Sequence, residues 1–263
     1  MRRLIATFTT FALLTFPHPA GAETPPLVKS VLAEGSQRIL PVGPLVWQTF
    51  ALTFLPGDPP QLFGDDAGFT WVRTGAARVQ FSGEEAQLLP AGAALASQTG
   101  VLRRLEGVSS SSTVWLVGLG GPVPPPTPQP PRLIFRSEPL VPPGAGGYRF
   151  RLSILELSGP ADLAPEESPG SLTVFVEAGA LFLQAPAGAA VLRVGTVTTL
   201  PADQPLQVRP LGSQPARLVT LTLLAGPPAT PVSGPPSLVP DPPAATAPFP
   251  LPLLPSGSFP RRS

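Results

Sequence analysis

Few side chains in this 263-residue sequence could do chemistry, and Arg103 is the first of them. At the mouth of a binding site, an arginine can hold a carboxylate or a phosphate through two parallel hydrogen bonds. Tyr148, the only tyrosine, could donate a proton, and Trp71 could stack on a sugar ring. We predict these three as ligand-binding residues. Alternatives stay open: Arg103 on an exposed edge or turn, and Trp71 and Tyr148 as packing residues.

Histidine and cysteine are almost absent: the only histidine is His18, and there is no cysteine. Residues 1–22 combine two arginines, an apolar run over residues 4–16 and small residues at 20–22, the pattern of a secretory signal peptide. The predicted mature chain therefore has neither His nor Cys. This excludes imidazole and thiolate metal sites, and hydrolases that need a histidine base or a cysteine nucleophile. We predict no catalytic residue, no metal and no cofactor, in a secreted or periplasmic protein.

Carboxylates cluster at three places. Asp58, Asp65 and Asp66 could ligate Ca²⁺, which tolerates irregular loops, but no EF-hand spacing supports this and solvated loop charge is the simpler interpretation. The other two places are the adjacent pairs Glu84–Glu85 and Glu166–Glu167. Adjacent residues on a strand point to opposite faces, so neither pair alone makes a two-carboxylate site. We interpret both pairs as turn charges.

Charge and proline content divide the chain. The net charge is +1 and no basic stripe is present, so nucleic-acid binding is not predicted. The 41 prolines concentrate in a linker, residues 122–131, and in a tail, residues 227–263, which lacks periodicity and is predicted to be disordered. Residues 23–121 and 132–226 are left as two segments of ordinary domain size.

Both segments alternate with period two and repeat each other. In YRFRLSILELSG, the side chains of Tyr148, Phe150, Leu152 and Ile154 share one face, as in a half-buried strand. Gly179 joins two strand patterns where a tight turn needs a residue without Cβ. Gly75 stands in the same pattern 104 residues earlier. The sequence therefore predicts an all-β protein built from a duplicated unit.

One turn of the repeat has the spacing of a metal-binding motif without its metal ligand. GTVTTLPADQPLQVRP keeps Gly195 and Pro201, but Leu206 stands where the motif has histidine. In the first copy, GAALASQTGVLRRLEG keeps Gly92 and has Arg103 at the histidine position. With the turns WVRTG and VFVEAG, this spacing resembles the cupin superfamily, and the whole chain resembles a bicupin.

The resemblance also locates the other metal-binding positions of the family. Gly68 and Leu172 stand where the family has its glutamate, and its histidine pair falls near residues 61–63 and 165–167. No usual ligand set survives in either copy, and only Glu167 is near a ligand position. Leu206 is expected to make the second barrel's mouth apolar.

The resemblance implies two cupin-type, jelly-roll-like β-barrels without a metal site. We expect an exported, non-catalytic module of the envelope, either structural or binding a small anionic or sugar-like ligand at the first barrel. The alternative is a metal-independent isomerase or lyase acting on such a substrate there. No membrane span is predicted once the signal peptide is cleaved, and homo-oligomerisation is left open.

Overall fold

The computed structural model describes residues 25–40, 43–64, 67–120, 131–144 and 146–226. The predicted signal peptide, the predicted tail, residues 122–130 of the linker, and Asp65 and Asp66 lie outside these residues. Within them strands are the only regular secondary structure, and no helix is long and apolar enough to cross a membrane. The prediction of an all-β protein is confirmed.

The strands fall into two series of nine. The first series is β1 (Leu27–Gln37), β2 (Trp47–Phe54), β3 (Gln61–Phe63), β4 (Ala67–Thr74), β5 (Ala76–Phe81), β6 (Gln87–Pro90), β7 (Ala94–Ser97), β8 (Arg103–Gly107) and β9 (Ser112–Leu119). The second series is β10 (Arg132–Arg136), β11 (Tyr148–Leu157), β12 (Ala161–Leu163), β13 (Gly170–Ala178), β14 (Ala180–Ala185), β15 (Gly188–Arg193), β16 (Val197–Pro201), β17 (Leu206–Pro210) and β18 (Ala216–Ala225).

The sheet order shows the duplication directly. The large sheets run β10-β2-β9-β4-β7 and β1-β11-β18-β13-β16, and the small sheets run β3-β8-β5-β6 and β12-β17-β14-β15. Strands nine apart in number occupy the same place in each pair of sheets. Each half thus supplies four of the five strands of one large antiparallel sheet and all four strands of a small one, and the prediction of two jelly-roll-like barrels is confirmed.

The hairpin glycines are required by close backbone approach. Gly75 connects β4 to β5 with φ 70° and Gly179 connects β13 to β14 with φ 75°. A Cβ at Gly75 would lie 2.2 Å from the carbonyl oxygen of Ser111, and one at Gly179 would lie 2.8 Å from that of Pro215. No other residue fits either turn without a shift of the backbone.

The two halves exchange one strand each. β1 pairs antiparallel with β11 of the second half, from Leu27–Leu157 to Gln37–Tyr148. β10 in turn pairs with β2 of the first half. The division into domains at residues 23–121 and 132–226 remains a prediction, but backbone hydrogen bonds of the large sheets cross it. Each exchanged strand covers an edge that would otherwise expose unpaired backbone groups.

Hydrophobic side chains pack in three clusters. One fills the first barrel around Leu105 and Val114, and one fills the second around Leu181 and Leu218. The third lies between the two large sheets and contains aromatic side chains of both halves: Trp47, Phe69, Trp71, Trp115, Phe135, Phe150 and Phe175. The large sheets are therefore covered on both faces.

The prediction of a half-buried strand at β11 is wrong for the centre of the strand, where Ser153 on the second face is also buried.

An ion pair joins equivalent positions of the two halves at this central interface. Arg73 and Glu177, 104 residues apart, sit where β4 and β13 shift register, and their side chains pair with each other. The Arg73 guanidinium carbon lies 4.0 Å from the ring centroid of Trp71 and 4.3 Å from that of Trp115. Glu177 Oε2 is also 3.2 Å from Arg217 Nε. Opposite charges thus occupy positions where an exact duplicate would place like charges.

Candidate functional site: the two barrel mouths

Arg103 points into the first barrel. It begins β8 and pairs across the small sheet with Phe63 of β3 and Phe81 of β5. Strand alternation places Arg103 on the same face as the buried Leu105, while Arg104 is exposed on the other face. The side chain is only 3% exposed. The alternative of an arginine on an exposed edge is therefore wrong, and so is the expectation of an open anchor for a ligand.

The head group of Arg103 is held by hydroxyl groups of the same barrel. Its Nη1 donates to Ser97 Oγ at 3.0 Å and to Thr70 Oγ1 at 3.3 Å, among its contacts. Both hydroxyls are buried. The arginine thus occupies the position that the family gives to a metal-binding histidine, and it makes internal hydrogen bonds there.

Trp71 and Tyr148 do not join Arg103 in one site. Trp71 follows Thr70 on β4, so its side chain points to the opposite face, into the cluster between the large sheets, where it is 1% exposed. Its ring meets that of Trp115 edge to face, with centroids 5.3 Å apart. Tyr148 begins β11 in the other large sheet, and its hydroxyl donates to the carbonyl of Gly144 at 3.0 Å. The structure thus does not bring the predicted trio together: these two aromatics pack on other surfaces, and ligand binding by any of the three stays a prediction.

The second barrel fills the equivalent position with Leu206. Leu206 begins β17, pairs with Leu163 of β12 and is 2% exposed. Register makes Val174 and Leu200 the counterparts of Thr70 and Ser97, so the hydroxyls that hold Arg103 have no counterparts beside Leu206.

An ionic rim that sequence reasoning missed lies over this second mouth. Arg151 of β11 pairs with Glu34 of the exchanged strand β1 and with both carboxylate oxygens of Glu166, at 3.0 and 3.1 Å. Lys29 of β1 lies 3.4 Å from Glu166. Burial lowers the pKa of Arg151, but the hydrogen bond that Arg151 donates to Glu34 and the negative charge of Glu166 outweigh this effect, and the pKa is raised. The prediction of an apolar second mouth is thus incomplete. The alternation of β11 could have indicated that Arg151 faces the second barrel. Its partner Glu34 could not be predicted, because β1 lies beside β11 only as a result of the strand exchange.

Of the two predicted pairs of turn glutamates, one is as expected and the other is not. Glu84 and Glu85 are exposed in the turn after β5, as predicted. Of the second pair, Glu166 makes the ion pairs with Arg151, so its interpretation as a simple turn charge is wrong. Glu167, next to it, is exposed, and among the residues that the structure describes it belongs to no cluster that could hold a metal ion.

The residues at the family's metal positions do not fit a metal. A side chain at Gly68 has no room, because its Cβ would lie 1.9 Å from the carbonyl oxygen of Val117. Its counterpart Leu172 packs on the core of the second barrel. Arginine and leucine at the histidine positions cannot donate a lone pair to a transition metal. Within the residues that the structure describes, no cluster of three or more His, Cys, Asp or Glu side chains could hold a metal ion.

No protein-family model and no curated protein matches the sequence. Among solved structures, the cupin domain of an XRE family transcriptional regulator from Enterobacter cloacae is similar at 21% identity, covering 30% of this chain and 82% of that one, with a TM-score of 0.27. A cupin 2 conserved barrel domain protein from Leptotrichia buccalis is similar at 14% identity over 73% of this chain and 89% of that one, with a TM-score of 0.38. Oxalate decarboxylase from Lactobacillus farciminis, in a formate complex, is similar at 12% identity, covering 73% of this chain and 81% of that one, with a TM-score of 0.45.

These likenesses concern the fold alone. The sheet order of the chain itself, repeated in its two halves, defines the class of protein as all-β with two cupin-type barrels. The chain is therefore bicupin-like, as the motif spacing implied.

Proposed function

We propose that this chain is an exported, non-catalytic module of the envelope, whose barrel mouths are filled by its own side chains. The observation that carries the proposal is the burial of Arg103 and Leu206 at equivalent inward positions, 3% and 2% exposed. A ligand that reached either position would have to displace a packed side chain. Export is motivated by the signal-peptide pattern of residues 1–22, and it is tested by the N-terminus of the secreted chain, which should lie near residue 23.

The arrangement of polar groups favours this proposal over the isomerase or lyase. That enzyme would need Arg103 to bind an anion beside a proton-transferring carboxylate or Tyr148. Glu106 lies on the opposite face of β8, where it pairs with Arg78 at 2.9 Å, and Tyr148 lies in the other large sheet. The described residues do not assemble an acid–base pair around Arg103.

Anionic ligands are expected to leave the thermal stability of the protein unchanged. Acetate, oxalate and phosphate should shift the melting temperature by less than about 1 °C, because Arg103 is closed off from solvent, whereas a ligand at 100 times its Kd adds about 2.7 kcal/mol. The measurement compares wild type with Arg103→Met and with Arg104→Ala, which removes the exposed neighbouring arginine. An anion that stabilises wild type and Arg104→Ala but not Arg103→Met would overturn the proposal.

A further inference from the structure

The outer face of the second barrel's small sheet carries an unusual set of outward-pointing side chains, of which Phe182 is half-buried and Gln184 is exposed. Leu181 and Leu183 of β14 point into the barrel, so Phe182 and Gln184 point outward. Gln207 and Arg209 of β17 are exposed in the same way beside the buried Val208. A groove of about 510 Å³ lies over these side chains.

Strand register arranges these side chains in two rows. Asp162, Gln207 and Gln184 form one row across β12, β17 and β14. Arg209 and Phe182 are directly paired in the next row, and the Arg209 guanidinium carbon lies 5.6 Å from the ring centroid of Phe182. Neighbouring strands are about 4.8 Å apart and the rows, two residues apart, about 6.7 Å. The outer face formed by these two rows of side chains therefore has the dimensions of one or two sugar rings.

The first barrel shows that the fold does not require this set. At the positions equivalent to Phe182 and Arg209, the outer face of its small sheet has Arg78 and Glu106, which pair with each other at 2.9 Å. The groove there is about 200 Å³ and has no aromatic side chain. An outward phenylalanine, paired across the sheet with Arg209 on one side and with the exposed Val191 of β15 on the other, is thus specific to the second barrel.

The chemistry of the face selects a neutral ligand rich in hydroxyl groups. Asp162 and Arg209 contribute one charge of each sign, so the face attracts neither anions nor cations strongly. Gln184 and Gln207 offer both donors and acceptors, as hydroxyl groups require. The Phe182 ring offers an apolar surface for the C–H face of a sugar ring. From this combination we propose that the outer face of the second barrel, formed by Asp162, Phe182, Gln184, Gln207 and Arg209, binds neutral carbohydrate. The inference deepens the proposed function and rests on it for placing the ligand outside the barrels.

Saturation-transfer NMR on the full mature chain tests this site, with maltose, cellobiose and N,N′-diacetylchitobiose as probes. We expect at least one probe to bind with a Kd in the millimolar range and to receive saturation from aromatic protons. Phe182→Ala should weaken binding at least about tenfold, and Arg78→Ala, the matched change in the first barrel, less than about twofold. Phe182→Trp should retain binding, which separates loss of the ring from loss of folding.

Absence of binding for all three probes, or binding that survives Phe182→Ala, would overturn the carbohydrate site. Two other outcomes would instead contradict the proposed function, a non-catalytic module with filled barrel mouths. Binding that persists in Phe182→Ala but disappears in Arg103→Met would place the ligand inside the first barrel, and new sugar signals during incubation would show catalysis.

Discussion

Replacing Arg103 with leucine is expected to lower the free energy of unfolding by about 3 kcal/mol. The substitution removes the donor for Thr70 Oγ1 and Ser97 Oγ and leaves two buried hydroxyls without that partner. A surface arginine exchanged in the same way would change stability by no more than about 0.5 kcal/mol. Chemical denaturation of wild type, Arg103→Leu and Arg104→Leu measures the difference.

A triple variant distinguishes the hydrogen bonds from simple packing. Arg103→Leu combined with Thr70→Val and Ser97→Ala makes the first mouth apolar, as at Val174 and Leu206 in the second barrel. Removing the buried donor together with these two acceptors is much less costly than removing the donor alone, so more than about half of the lost stability should return. If Arg103→Leu alone proved as stable as wild type, Arg103 would not be what holds the mouth closed.

Replacing Glu177 with alanine is expected to cost about 2–3 kcal/mol of the free energy of unfolding, since it breaks a largely buried ion pair on one side only. Arg73 would remain against Trp71 and Trp115 without its carboxylate, and Arg217 would lose one of its acidic partners. A double-mutant cycle with Arg73→Ala, followed by denaturant unfolding, should give a coupling energy above about 1 kcal/mol.

The pair Arg78–Glu106 provides the matched control for that cycle. It also joins an arginine and a glutamate at 2.9 Å, but the two side chains are 50% and 34% exposed. Exposed ion pairs contribute little, so its coupling energy should stay below about 0.5 kcal/mol. Equal coupling in both pairs would contradict the account of the central interface, because burial would then make no difference.

Local structure was accessible from the sequence because it depends on local chemistry. The hairpins at Gly75 and Gly179 follow from the need for a residue without Cβ, and the repeat length between them predicted the duplication. The alternation of β8, which places Arg104 and Glu106 on the opposite face from Arg103, likewise depends only on neighbours along the strand. These properties are decided by neighbours along the chain.

The sequence did not predict which strands lie side by side in the sheets, or which face of a fully buried strand points into a barrel. The sequence contains no information on which sheet edges β1 and β10 cover, so the strand exchange and the Arg151–Glu34 pair were missed. Because both faces of β4 are buried, its pattern could not tell that Thr70 faces the barrel and Trp71 faces the other half. Arginine is rarely buried, which favoured an exposed Arg103. The Thr70 and Ser97 hydroxyls that accept its hydrogen bonds lie in the large sheet, and the sequence does not show that this sheet faces β8.

The central claim is that the side chains at the family's metal positions fill both barrels and leave no metal site. The most direct test is the metal content of the mature chain, purified without chelator, incubated separately with Mn²⁺, Fe²⁺ and Zn²⁺, desalted and measured by mass spectrometry. The account predicts less than about 0.1 metal ion per chain, because Arg103, Leu206, Gly68 and Leu172 supply no ligand. Retention of about one ion per barrel would contradict it, and carboxylates such as Asp65 and Glu167 would then have to be ligands.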